Sequence, residues 1–214
     1  MNLSGLLKHQ PKFIANAFDP NLVTIKDVTS YLNNHRFSPE ELQIINPDTN
    51  HKSEYKIRND QWRTNYDPET MEMLWEQGYS YILHSVYINK KVKKIASQIE
   101  KLNFVSCDAH VYCGKKNSQS FPPHSDSSYN LIVQCVGESI WRVWSEVSSE
   151  SGRFPGIEKE VPPSINVVMR PGDAIFVPVG QIHQAQPLTD RISVSFPFLP
   201  GPKSVHRNIK LSWE

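Results

Sequence analysis

His124 and Asp126, in the segment FPPHSDSSYN, are two residues apart, and on an extended strand that spacing puts both side chains on one face. A second imidazole, His183, follows 59 residues later, directly after PGDAIFVPVGQI. Two imidazoles and one carboxylate gathered on one side of a divalent ion leave the other coordination positions open. That ligand set suits iron(II) that must also bind a cosubstrate and O₂. A His-x-acid pair alone carries little weight, since 8 His and 22 acidic residues in 214 give about one by chance. The competing reading makes His124 a turn cap, Asp126 a turn residue beside Ser127 and Ser128, and His183 a buried hydrogen-bonding histidine. The pattern of elements around the three residues favours the metal set.

Those elements are short β runs: VSCDAHVYC, YNLIVQCV, SIWRVWSEV, SINVVMR, AIFVPV and RISVSFPF. Turn signals punctuate them at Gly114, Pro122-Pro123, Gly137, Gly152, Pro162-Pro163, Pro171-Gly172 and Gly180. Many short strands at this spacing predict a β-sandwich or barrel. Upstream, LVTIKDVTSYLNNH reads as a helix with an apolar face and LQIINP as a short strand closed by Pro47. ETMEMLWEQG reads as a helix stopped at Gly78, YSYILHSVYI as a buried strand, and NKKVKKIASQIEKLN as a helix with a solvated, lysine-rich face. The polar stretch 48–70, with Trp62 and Tyr66, is expected to form a lid over a substrate. Alternation puts Trp141 and Trp144 on opposite faces, so the tryptophans are expected mostly in the core.

The expected organisation is one mainly β domain over 1–214. It has a helical or mixed N-terminal cap and lid (1–68), a catalytic core (69–200) and a C-terminal tail (201–214). Lys plus Arg is 23 against 22 acidic residues, and this balance speaks against a nucleic-acid partner. No apolar run reaches membrane-spanning length, and MNLSGLLKHQPKF has no secretory pattern. Cys107, Cys113 and Cys135 include no CxxC pair, which fits reduced, buried thiols in a cytoplasmic protein.

The segment from MLWEQGYSYILHSVYINKK through FPPHSDSSYNLIVQCVGESIWRVW resembles the catalytic core of the JmjC-type ribosomal oxygenases and their bacterial relatives. A Gly-ended helix, a strand, a second helix and a further strand precede His-x-Asp. Gln134, Gly137 and the Trp141-Arg142 pair then follow in the family's order, as does PGDAIFVPVGQIHQA. The likeness spans roughly 69–198. It implies a double-stranded β-helix of the cupin or jelly-roll type that uses iron(II), O₂ and 2-oxoglutarate. It also implies hydroxylation of an amino-acid side chain in a peptide or protein. Tyr112 and Asn130 fall at polar positions where the family contacts its cosubstrate.

Two departures qualify the likeness. The family places a Lys or Arg fifteen residues after the first metal histidine to pair with the far carboxylate of 2-oxoglutarate, and here that position is Ser139. Arg142 is a poor substitute, because strand parity turns it to the opposite face. Arg191, eight residues after His183 and on one face with Ser193, is the better candidate, since a guanidinium fork matches a carboxylate. The competing reading has Arg191 beside Asp190 in a surface turn. Secondly, the ribosomal oxygenases carry helical dimerisation and winged-helix regions after the β core, where this sequence has GPKSVHRNIKLSWE. Their ribosomal substrate is therefore not carried over, and a free amino acid or metabolite stays open beside a peptide. A metal-dependent cupin that does not use 2-oxoglutarate (a dioxygenase or isomerase) and a non-catalytic cupin binding module also stay open.

Overall fold

The computed structural model describes residues 10–38, 40–46, 68–103, 106–116, 118 and 121–199. Trp62, Tyr66 and the rest of the expected lid up to residue 67 lie outside the described residues, as do 201–214.

Among the described residues, twelve strands form two antiparallel sheets. The larger runs in the order β1 (Lys12–Ile14), β10 (Ala174–Val177), β6 (Tyr129–Val136), β12 (Arg191–Phe198), β4 (His110–Gly114), β3 (Ser80–Leu83), β2 (Leu42–Ile45). The smaller runs β8 (Gly152–Arg153), β5 (His124–Ser125), β11 (Gln181–Pro187), β7 (Ser139–Val147), β9 (Ile165–Met169). Helices α1 (Ile25–Asn34), α2 (Pro68–Glu76) and α3 (Lys90–Asn103) pack on the larger sheet. α1 begins with a capping box in which Thr24 and Asp27 bond each other's backbone N–H.

Strand alternation divides the core in two. Leu131, Val133, Val111, Val194 and Phe196 face the helices and pack with Val28, Leu74, Val92 and Ile95. Ile132, Ile175 and Val177 face the smaller sheet and meet Trp141, Val143 and Met169. β12 makes the division plain. Its apolar residues Ile192, Val194 and Phe196 lie under the helices, so Arg191, Ser193 and Ser195 point between the sheets. A half-buried strand normally turns its polar side to water; this one turns it into the protein.

The structure differs from the sequence reading in several elements. The strands expected at LQIINP and YSYILHSVYI form as β2 and β3 and extend the sheet beyond β4, while β1, at the other edge, extends it beyond β10. YSYILHSVYI is a strand only over Ser80–Leu83. Beyond it, His84 N–H donates to Glu41 O (2.7 Å), Ser85 is left-handed at φ 56°, and Val86 N–H donates to Ala109 O (2.8 Å). β1, β8, β11 and the short α4 (Ile157–Glu160) were not expected, and the strand expected to carry His124 and Asp126 is the two-residue β5. β11 hides because QIHQAQP is polar at alternate positions on both faces, while its burial comes from neighbouring strands. Among the described residues, no helix is long and apolar enough to cross a membrane.

Candidate active site

β5 and β11 bring the two imidazoles together, with His124 directly opposite His183 in the ladder. Asp126 follows β5, and its backbone O accepts from Gly180 N–H at 2.9 Å. Gly180 sits at φ +73°, and a Cβ there would lie 2.2 Å from Ser148 O, so this turn requires glycine. The ligand atoms of His124, Asp126 and His183 all lie within 4.8 Å of one another. His183 Nε2 is 3.6 Å from Asp126 Oδ2, and His124 Nε2 is 4.0 Å from Asp126 Oδ1. Atoms each bonded at about 2.1 Å to one ion can be up to about 4.2 Å apart, so both pairs fit a shared ion.

The protonation pattern fits as well. His124 Nδ1 is 2.9 Å from Pro122 O, and His183 Nδ1 is 2.9 Å from Gln181 O. Carbonyls only accept, so each Nδ1 carries the proton and each Nε2 presents a lone pair. Burial first, and His124 next, push the His183 pKa down to about 4, which keeps the ring neutral and able to ligate. Asn130 Nδ2 donates to Asp126 Oδ2 (2.8 Å), and Ser195 Oγ donates to Asn130 Oδ1 (2.8 Å). A relay from β12 thus fixes the carboxylate. Asn130 lines the cavity, but both ends of its amide are engaged in this relay.

A cavity of about 170 Å³ runs inward from the triad between Tyr112, Ile132, Trp141, Ser193 and Arg191. The Trp141 ring is parallel to that of His183, with centroids 6.1 Å apart and planes at 9°. Trp141 therefore walls the site, a role beyond the core packing expected of it. Trp144, on the other face, is fully buried and donates to Val161 O at 2.9 Å.

Arg191 is 5% exposed. Its Nη1 donates to Ser193 Oγ (2.8 Å), while its Nε is buried without a hydrogen-bond partner among the described residues. Asp190 turns elsewhere and accepts from Lys116 N–H at 2.8 Å, so the surface-turn reading of Arg191 does not hold. Burial pushes the guanidinium pKa down to about 10, which still leaves it charged at neutral pH. A buried cation with a spare donor and no carboxylate among its described contacts is costly unless an anionic ligand completes it. Tyr112 is opposite Ser193 in the β4–β12 ladder, and burial pushes its phenol pKa up, keeping it a neutral donor. Arg142 bonds Gln184 and Gln186 (3.3 and 3.0 Å) on the face away from the cavity. Ser139 is fully buried. Ser195 and Phe121 also line the cavity. Ser195 continues the Arg191–Ser193 alternation and could have been found from it; Phe121 gives no comparable signal.

Two antiparallel sheets around a cavity, with two histidines and an aspartate at one end, define a cupin-type β-helix with a site for one divalent metal. The chain belongs to the JmjC domain family, whose model matches residues 82–203. It is 28% identical over 187 residues to a "bifunctional lysine-specific demethylase and histidyl-hydroxylase NO66" from Aedes aegypti, covering 84% of this chain and 24% of the relative. It is 33% identical over 84 residues to "ribosomal oxygenase 1" from Rattus norvegicus, covering 36% of this chain and 14% of the relative. The chain thus spans less than a quarter of either relative. Its fold is shared by the Escherichia coli ribosomal oxygenase YcfD, solved in complex with cobalt and 2-oxoglutarate. There the TM-score is 0.63 at 16% identity, over 95% of this chain and 53% of that one.

Proposed function

We propose that this chain is an Fe(II)- and 2-oxoglutarate-dependent oxygenase that hydroxylates an amino-acid side chain, presented in a peptide or protein or as a free small molecule. The observation that carries this reading is one cavity with complementary ends. Three ligand atoms within 4.8 Å stand at one end, and a buried guanidinium whose Nε has no hydrogen-bond partner among the described residues lines the same cavity. In this reading His124, Asp126 and His183 hold iron, and Arg191, Ser193 and Tyr112 hold the far carboxylate of 2-oxoglutarate. Iron with 2-oxoglutarate and O₂ supplies an oxidation that replaces C–H by C–OH and releases succinate and CO₂.

The chain's own contribution is positioning. The Pro122 and Gln181 carbonyls aim both imidazoles, Asn130 orients Asp126, and Trp141 shields the His183 side from water. The named relatives support a protein substrate. A cytoplasmic setting fits the free, buried thiols of Cys107, Cys113 and Cys135. Purified protein given iron(II), O₂ and 2-oxoglutarate should form succinate slowly, and faster with a substrate peptide. Metal binding without any succinate would favour a cupin that does not use 2-oxoglutarate.

A further inference from the structure

Arg153 ends the row of residues that carries both metal-binding imidazoles. Across the smaller sheet, β8, β5, β11 and β7 place Arg153, His124, His183 and Val143 directly opposite one another. Residues paired across an antiparallel ladder project to the same side. Here that side faces the larger sheet, because His124 and His183 line the cavity. From its open end inward, the row therefore holds a cation, two imidazoles and apolar core. Arg153 is exposed and lies one strand beyond His124, with its Cβ about 5 Å from that of the histidine. β8 has only two residues, yet it is fastened on both sides of Arg153. Ser125 Oγ donates to Glu150 O (2.9 Å), and Phe154 N–H donates to Pro123 O (2.7 Å). The backbone beneath Arg153 is thus held by the same short segment that positions His124.

We propose that Arg153 is a substrate anchor that selects a carboxylate close to the C–H bond to be oxidised. The cosubstrate takes the Arg191 end of the cavity, so a substrate approaches the metal from the open end of this row, beside β8. A guanidinium fork there pairs with a carboxylate through two parallel hydrogen bonds. The carboxylate belongs to an Asp or Glu neighbour in a peptide, or is the α-carboxylate of a free amino acid. Holding the substrate at a second point orients one C–H bond toward the metal. This inference rests on the oxygenase reading above and narrows its substrate class.

The test is proton relaxation of small probes by Mn(II) held in the triad of the full chain, saturated with 2-oxoglutarate. Ac-Glu-NH₂ carries only a side-chain carboxylate, L-glutamine only an α-carboxylate, and Ac-Gln-NH₂ neither. One of the first two should relax about fivefold more strongly than Ac-Gln-NH₂, as an exposed ion pair gives at best. Ac-Glu-NH₂ in that place marks an acidic peptide as the substrate, and L-glutamine a free amino acid. R153Q should abolish the preference, and R153K, which keeps the charge without the fork, should fall between R153Q and wild type. R153E should relax Ac-Glu-NH₂ less than Ac-Gln-NH₂, an inversion that loss of structure cannot mimic. Equal relaxation of all three probes by wild type, or a preference that survives in R153Q, overturns the anchor. Wild-type protein that holds Mn(II) but no 2-oxoglutarate sinks the oxygenase reading, and the anchor with it, before any probe is added.

Discussion

The two ends of the cavity solve opposite problems with the same tool. At the triad, burial helps: it strips the proton from His183 and leaves a lone pair ready for a cation. At Arg191, burial works against the charge, lowering its pKa to about 10 without removing the proton. The first end is satisfied within the protein, through backbone carbonyls on both Nδ1 atoms and the Asn130 relay on Asp126. The second leaves Nε unpaired among the described residues. The metal end is thus held in place before anything binds, whereas the guanidinium end is complete only with a ligand.

Four experiments would break or sharpen that contrast. His183→Ala or Asp126→Ala should lower Co(II) affinity beyond roughly a hundredfold, since loss of an outer-shell partner alone costs 10–100-fold. Retained affinity in equilibrium dialysis would remove the triad from the argument. Arg191→Met should leave Co(II) binding intact and stabilise the ligand-free protein by about 1–3 kcal/mol in urea melts, because an uncompensated buried charge is replaced by apolar packing. A destabilised variant would mean that Arg191 already has its partner. Asn130→Ala should cost about tenfold in Co(II) affinity and little in overall stability.

The smallest effect concerns pH. His183 takes up its proton at about pH 4 in the fold but near 6.5 in the unfolded chain. Between those values the unfolded chain holds the extra proton, so ligand-free stability is full above about 6.5 and declines as pH falls toward 4. His183→Gln should flatten that slope in melts recorded across the window, and an unchanged slope would assign it to another group.

Much of this was legible in the sequence. Residue spacing put His124 on one face with Asp126 and Arg191 on one face with Ser193, because a strand's two-residue period fixes which side chains share a face. The surrounding β pattern added His183, and the family resemblance pointed to Arg191. The same period separated Arg142 from the cavity and Trp141 from Trp144. The strand carrying His183 was not legible, because Gln181, Gln184 and Gln186 read as surface until their partners on β7 are known. Nor was the role of Trp141, since a large aromatic on a strand looks alike in a core and in a cavity wall.

Local chemistry and periodicity therefore determined which residues can act together. Which way each face points was a tertiary decision. Helices covering the outer side of β12 turned Arg191, Ser193 and Ser195 inward, and the pairing of β11 with β5 closed 59 residues of chain into one site. Alternation is a property of one strand, but inside and outside exist only once a second layer has packed against it.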